Sequence, residues 1–296
     1  MSDVFVVGAL HLDVVVDAPR LPALDETLIG DRVAYRFGGK GGNQALAAAR
    51  MGARVAMAGR VGEDAFAGTI LAVLDEVGVD RSQVLAVPGS TGMSVAIVEA
   101  QGEYGAVVVS GVNRTIDPTQ VDPGDAKVIV LQNEIPEDVN LAAVNRRGNA
   151  RIILNAAPAR TVSANLLQAT NLLVVNSVEA AQMTGGGVSD LDVKVAAEKL
   201  VDSGPQSVVI TMGSQGAVLH DGRAFETMPP PAQALGSSHG AGDAFIGALA
   251  AELARSEPPQ AAVRFAMAAA AYFVQTPPDA REAIKREDVE NWLAVL

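Results

Sequence analysis

The chain contains no cysteine. Disulfide frameworks, catalytic thiols and cysteine-ligated metal centres are therefore excluded, and a reducing cytoplasm is the expected environment. The three histidines, His11, His220 and His239, do not have the spacing of metal ligands. Because zinc sites in proteins are built mainly from cysteine and histidine, the sequence also argues against a zinc centre.

Basic residues are fewer than acidic ones: the chain has 22 lysines and arginines and 34 aspartates and glutamates, which gives a net charge of −12. Nucleic acid and anionic membranes are excluded as main partners, because both require a basic surface. The first residues lack the basic segment of a signal peptide, and apolar runs such as 266–274 are too short to span a bilayer. An acidic chain can still bind a polyanion such as ATP through a lysine, helix N-termini or a metal.

Hydrophobic residues make up 49% of the 296 positions, enough for a large core. From residue 127 onward, apolar strand patterns alternate with helical patterns, beginning with a strand at 128–131 and a helix at 137–146. This alternation predicts an α/β fold with a doubly wound, mostly parallel sheet flanked by helices, whose ligands bind beyond the carboxyl ends of the strands. Short strands near 14–36 and 91–109, the latter with a hairpin turn at 101–103, break the rhythm and predict a small separate sheet within one domain.

The segment 236–248, GSSHGAGDAFIGA, places glycines where a loop becomes a helix. A helix start has unpaired N–H groups and a dipole that favours negative charge, and glycine lets a phosphate approach the backbone closely. Asp243 adds a carboxylate beside such a pocket. A phosphate-binding pocket and a carboxylate are together the minimum needed to move a phosphoryl group onto a hydroxyl. Considered alone, Asp243 is also explained as an ordinary helix cap.

Familiar nucleotide motifs do not match. The segment 39–41, GKG, lacks the spacing of a P-loop, and Phe245 stands where a dinucleotide fingerprint would need its third glycine. Polar or glycine-rich segments nevertheless follow several predicted strands or precede helices: Asp13, the segment 38–44, the pair Asn176 and Glu179, and the segment 211–216. These segments are expected on the ligand side of the sheet.

The whole pattern resembles the ribokinase family of carbohydrate kinases, in order and over nearly all of the chain. Residues 38–44, GGKGGNQ, are similar to the first signature of that family, and residues 240–245, GAGDAF, to its second. The segment 154–159, LNAAPA, and the pair Asn176 and Glu179 are similar as well. The resemblance implies a single ribokinase-like domain over 1–296 whose β-sheet lid, at about 14–36 and 91–113, pairs two subunits into a homodimer.

The resemblance also implies an ATP-dependent kinase that transfers the γ-phosphate to a hydroxyl of a pentose or similar small sugar. Asp243 would be the general base, acting by position, and the N–H groups of Gly240, Ala241 and Gly242 would form the anion hole. Glu179 and Asn176 would help to hold Mg²⁺ through water. The residues implied to bind the nucleotide are Asn176, Thr211, Gly213, Ser214 and Gly216. Those implied to bind the sugar are His11, Asp13, Gly39, Lys40, Asn43 and Glu134.

Two departures from the family pattern are visible. His11 stands where the pattern has an asparagine that contacts sugar hydroxyls, so the identity of the sugar stays open. Ser237 replaces the acidic residue before the second signature, and the segment 275–282, QTPPDARE, is unlike the loop that completes the family's monovalent-cation site. We therefore expect that the kinase does not need potassium.

Two alternatives remain: a nucleoside kinase of the same family, and a non-catalytic sugar-binding protein on a kinase fold. Glu134 favours a free sugar, because it matches a position near the anomeric hydroxyl. The presence of Asp243, Asn176 and Glu179 favours catalysis.

Overall fold

The protein is described by a computed structural model covering residues 2–99, 104–232 and 236–296. The predicted hairpin turn at 101–103 lies outside these ranges. The strands are β1 (Val4–Val7), β2 (His11–Ala18), β3 (Arg32–Gly38), β4 (Val55–Gly62), β5 (Asp80–Val87), β6 (Gly92–Glu99), β7 (Tyr104–Val109), β8 (Val128–Gln132), β9 (Arg151–Asn155), β10 (Leu172–Asn176), β11 (Ser207–Thr211), β12 (Ala217–His220) and β13 (Phe225–Met228). The helices are α1 (Lys40–Arg50), α2 (Ala67–Val77), α3 (Glu137–Asn145), α4 (Ala164–Ala169), α5 (Ser177–Thr184), α6 (Val193–Asp202), α7 (Ala241–Ala254), α8 (Pro259–Gln275) and α9 (Arg286–Leu293).

Nine strands form one large sheet in the order β13-β12-β11-β10-β9-β8-β1-β4-β5. The seven strands from β11 to β5 pair in parallel, and β12 and β13 add antiparallel to one edge. The chain leaves β1 for β4 on one side and later builds β8 to β11 on the other. The order of the strands therefore reverses between β1 and β8, which is where sheets of this kind bind their ligands.

Both faces of the large sheet are covered by helices. Side chains alternate along β1, so Val4 and Val6 pack into one core while Phe5 and Val7 pack into the other. The first core includes buried residues of α1, α2, α7, α8 and α9, and the second those of α3 to α6. Strands buried on both faces read as continuous apolar runs, which explains why these strands were visible in the sequence.

A second sheet has four strands in the order β3-β2-β6-β7. β2 pairs antiparallel with β3 and parallel with β6, and β6 pairs antiparallel with β7. On one face, neighbours in register form the apolar row Tyr35, Val14, Val95 and Val107, of which Tyr35 is 61% and Val107 67% exposed. The other face carries Asp13 beside Ser94.

The α/β class and the mostly parallel sheet are confirmed. The helix that follows Gly39 begins at Lys40, inside the glycine-rich segment itself. Gly39 caps this helix with φ 87°, and a Cβ there would lie 2.5 Å from the carbonyl oxygen of Ala9. The glycines thus serve close packing of a helix against the end of β1, which local propensity does not reveal.

Strand β5 was not predicted, because it is an edge strand in which half of the residues are exposed and only one is buried. No helix in the described ranges is long and apolar enough to cross a membrane.

Candidate active site

The predicted site residues come together beyond the carboxyl ends of the central strands. The loop after β8 carries Glu134, while β10 and β11 end on Asn176 and Thr211, which lie side by side in register. The N-termini of α1 and α7 approach the same region, since Asn43 and Asp243 are in contact. The geometry therefore brings together residues up to 200 positions apart in the chain.

Asp243 is held by two amide side chains of α1. Its Oδ1 accepts a hydrogen bond from Nε2 of Gln44 at 2.9 Å, and its Oδ2 accepts one from Nδ2 of Asn43 at 3.3 Å. Helices α1 and α7 pack closely enough to make these bonds because Gly247 lies against Ala47, where a Cβ would clash at 2.4 Å. The carboxylate is thus oriented by the protein rather than left to rotate in solvent.

Gln44 was quoted in the first signature but was not among the predicted site residues. It is fully buried, and its Nε2 also donates to Oδ1 of Asn155 at 3.0 Å. Asn155 in turn donates to the carbonyl of Val174 at 3.2 Å. The signal for Gln44 was its polar side chain on an otherwise small-residue helix face, because a buried amide requires partners.

Lys40 lies among carboxylates. Its main-chain N–H donates to Oε2 of Glu134 at 2.7 Å. Burial alone lowers the pKa of the Lys40 ammonium, but the carboxylates of Asp243, Glu134 and Glu179 together raise it above its ordinary value. The side chain therefore stays charged in a site that would receive further negative charge from a phosphate.

Glu134 is the most strongly perturbed carboxyl of this group. Burial raises its pKa to about 7, although the N–H and the charge of Lys40 act in the opposite direction. Asp243 and Asp13 raise it further by repulsion. A carboxyl that exchanges its proton near neutral pH is suited to hydrogen-bond a neutral polar ligand in either form.

His11 and Asp13 lie at the base of the small sheet. His11 is 3% exposed, its Nε2 has no hydrogen-bond partner among the described residues, and burial lowers its pKa. It is flanked in register by Gly38 and Gly92, which leave room for the imidazole. Asp13 accepts a hydrogen bond from Ser94 at 2.6 Å.

Asn176 and Glu179 form a capping box at the start of α5. The N–H of Glu179 donates to Oδ1 of Asn176, and the N–H of Asn176 donates to Oε2 of Glu179, both at 2.8 Å. Burial raises the pKa of Glu179, which is 9% exposed. Glu179 is therefore not a solvated helix residue, and part of its hydrogen-bonding capacity is used locally.

The segment after β11 forms a tight turn. Gly213 and Gly216 have φ of 57° and 92°, and a Cβ at Gly216 would lie 2.1 Å from the carbonyl oxygen of Met228. The N–H of Met212 donates to the carbonyl of Gly216 at 2.8 Å, and Ser214 is exposed at the tip. The turn places an exposed hydroxyl and main-chain N–H groups beside the end of β10.

The N-terminus of α7 is shaped by Gly240, which has φ 83°. The N–H of Ala241 donates to the carbonyl of Ser238 at 3.0 Å. The N–H groups of Gly240 and Gly242 make no hydrogen bond with any described residue, and the space beside Gly242 is open. Two of the three N–H groups predicted for the anion hole are therefore unpaired in this arrangement.

A carboxylate oriented at a helix N-terminus, beside unpaired N–H groups and a charged lysine, defines a phosphotransferase that acts on an alcohol. The family model that matches residues 1–283 is described as pfkB family carbohydrate kinase. The chain belongs to this family. It is a ribokinase-like carbohydrate kinase, which confirms the predictions of family and of enzyme class.

Individual relatives agree with this assignment. The ribokinase of Haemophilus influenzae is 33% identical over 279 residues, 91% of each chain, and the deoxyribokinase of Salmonella typhi is 30% identical over 282 residues, 92% of each. The structure of Arabidopsis thaliana ribokinase complexed with ribose and ATP matches with a TM-score of 0.88 at 28% identity, covering 99% of this chain and 98% of that one.

Proposed function

We propose that this kinase phosphorylates a hydroxyl of a free pentose or similar small sugar, with ATP as phosphate donor and Asp243 as general base. The observation that carries the proposal is the Asp243 carboxylate, which Asn43 and Gln44 orient at the N-terminus of α7. Ribose and deoxyribose kinases among the relatives support the pentose class.

In the proposed reaction, the sugar hydroxyl attacks the γ-phosphorus while Asp243 accepts its proton. A bond forms between the sugar oxygen and phosphorus, the bond from phosphorus to the β–γ bridging oxygen breaks, and ADP leaves with that electron pair. The N–H groups of Gly240 and Gly242 donate to the transferred phosphoryl group, and Lys40 offsets its charge. Ala241 contributes its N–H only if the bond to Ser238 opens.

The sugar lies against the residues at the base of the small sheet and beside α1. Polar groups on such a surface select hydroxyl stereochemistry, since a buried group left without a partner is costly. The unpartnered Nε2 of His11 and the carboxyl of Glu134 support this role most directly. The full set proposed to bind the sugar is His11, Asp13, Gly39, Lys40, Asn43 and Glu134.

The nucleotide lies at the ends of β10 and β11. Asn176 and Thr211 end neighbouring strands, and the turn that follows exposes Ser214. The full set proposed to bind ATP is Asn176, Thr211, Gly213, Ser214 and Gly216.

Magnesium accompanies ATP in this proposal. No group of three or more potential metal-ligating side chains occurs in the described part of the chain, so the protein does not enclose the ion. That fits Mg²⁺, which keeps several waters and is held by substrate phosphates with one or two carboxylates. Glu179 and Asn176, already engaged in the capping box, are suited to hold it through water, and the ion would neutralise phosphate charge.

The small sheet is proposed as a lid over the sugar that also pairs two subunits. Its apolar face exposes Tyr35, Val95 and Val107 next to one another. Single exposed apolar residues are normal on a protein surface, whereas a contiguous patch indicates an interaction surface. Introducing charge with Val107→Asp should convert a dimer to a monomer in sedimentation experiments, whereas Val188→Asp, at a site 49% exposed elsewhere, should not. A wild-type chain that sediments as a monomer at micromolar concentration contradicts this pairing.

The function is tested by measuring ADP release with a panel of pentoses, hexoses, polyols and nucleosides. We expect one pentose or close relative to be turned over well above all nucleosides. If only nucleosides are turned over, the phosphate acceptor is a nucleoside and the proposal of a free sugar is wrong. No turnover, together with a sugar-dependent rise in melting temperature, would favour a binding protein.

A further inference from the structure

Arg281 ties two loops together next to the N-terminus of α7. It lies in the short turn between α8 and α9 and is 8% exposed. Its guanidinium lies 4.6 Å from the centre of the Phe273 ring. It donates to four main-chain carbonyls, those of Ser237 at 2.9 Å, Thr276 at 3.0 Å, Val274 at 3.1 Å and His239 at 3.4 Å.

This cation is buried without an anionic partner in the part of the chain that the structure describes. No carboxylate of the described residues forms an ion pair with Arg281. Burial lowers the pKa of its guanidinium, and the charge of Arg36 lowers it further. Because burying an unpaired charge is expensive, the carbonyl dipoles of the two loops are its main compensation within the protein.

The two loops set the path of the chain into α7. The carbonyls of Ser237 and His239 belong to the residues just before Gly240. A Cβ at Gly240 would lie 3.2 Å from the same Phe273 ring that stacks on the guanidinium. Arg281 and Phe273 therefore hold the turn from which the unpaired N–H groups of Gly240 and Gly242 project.

The arrangement bears on the monovalent cation that the sequence resemblance implied. Four converging carbonyl oxygens are the kind of donor set that binds a potassium ion. Here the guanidinium already uses these oxygens, and Ser237 supplies no carboxylate to attract a further cation. The residues present do not fit a bound potassium ion at this place.

We propose that Arg281 is a positioning residue for phosphoryl transfer, a built-in cation that fixes the loop before α7 in place of an exchangeable one. This inference rests on the proposed role of the α7 N-terminus. It explains how the loop keeps its shape in a kinase that lacks the acidic residue at position 237. The side chain of Arg281 donates hydrogen bonds to the loop, whereas the side chain of His239 is exposed.

The test compares Arg281→Ala with the wild type in sodium, potassium and guanidinium salts at fixed ionic strength. We expect wild-type kcat to be the same in sodium and potassium. In Arg281→Ala, kcat should fall about tenfold to hundredfold because the anion-binding N–H groups are misplaced, while KM for the sugar changes little. Guanidinium or potassium ions should restore a large part of the lost kcat by entering the vacated place.

The matched control is Arg286→Ala. Arg286 also stacks on a phenylalanine, Phe265, at 4.6 Å, but it pairs with carboxylates of α7 and α9 away from the loop. The variant Arg286→Ala should have a lower melting temperature but should show no loss of kcat that depends on the cation present. If Arg281→Ala does not fold, Arg281→Gln, which is neutral and has only two donors for the four carbonyls, takes its place with the same expected rescue.

A folded variant at position 281 with unchanged kcat overturns the proposal, as does a loss that no cation restores. Several-fold activation of the wild type by potassium overturns it as well. If the wild type turns over no sugar at all, the proposed function itself is contradicted. Failure of the role of Arg281 and failure of the proposed function are therefore distinguishable.

Discussion

Glu134 should make the folded protein less stable as the pH rises. Its pKa is raised by burial to about 7, against about 4.5 in the unfolded chain. Below pH 4.5 the carboxyl is protonated in both states and has no effect. Between pH 4.5 and 7 the unfolded chain gives up the proton more readily, so folding stability falls, and above pH 7 the loss is constant.

The magnitude follows from the same two values. At 1.36 kcal/mol per pH unit, the difference corresponds to about 3 kcal/mol, and solvent screening at this partly exposed carboxyl reduces it to about 1–3 kcal/mol. Glu134→Gln keeps an acceptor for the N–H of Lys40 but removes the ionisation. The variant should therefore melt above the wild type at pH 8, by about 2–5 °C, with a smaller difference at pH 5.

The assay is thermal unfolding from pH 5 to pH 8.5 without ligands. Glu198→Gln, on the exposed face of α6, serves as the control and should show a small shift that does not vary with pH. A difference for Glu134→Gln that is independent of pH, or that favours the wild type at pH 8, contradicts a raised pKa for Glu134 in the folded chain.

Three further substitutions test the site. Gln44→Met removes the 2.9 Å bond to Asp243 at similar volume, and should lower kcat about tenfold or more, measured by steady-state kinetics at saturating substrates. His11→Asn should raise kcat/KM for ribose relative to the preferred sugar, and an unchanged ratio across the panel would place His11 outside the sugar site. Gly38→Ala would put a Cβ 2.3 Å from the carboxylate of Asp13, so KM for the sugar should rise more than KM for ATP. Equal changes in both KM values would contradict that placement of Asp13.

Much of the large sheet could be predicted because its strands are buried on both faces. Helix α6 and strand β11 are marked locally in the sequence, the helix by a polar cap and the strand by a buried apolar run. The start of α1 at Lys40 could not be predicted in this way, because it depends on contact with the end of β1.

The candidate site also contains residues that the local sequence indicates and residues that depend on distant contacts. Asp243 was visible because a helix start has a local sequence pattern, and the pair Asn176 and Glu179 because it follows an apolar strand and resembles a family motif. Gln44 and Arg281 were not, because their roles depend on partners far away in the chain: Gln44 bonds to Asp243, and Arg281 to carbonyls more than forty positions before it. Nothing in the local sequence distinguishes an arginine that bonds to carbonyls from one in solvent.

In the proposed reaction, Asp243 accepts the proton of a sugar hydroxyl during transfer of the γ-phosphate. The most direct measurement is kcat for sugar-dependent ADP release by Asp243→Asn, alongside its affinity for ATP. Asparagine keeps the size of aspartate but cannot accept the proton, so kcat should fall by about 10²–10⁴-fold while ATP binding changes little. A variant with near-normal kcat would show that Asp243 is not the general base and that its carboxylate only joins α7 to Asn43 and Gln44 of α1.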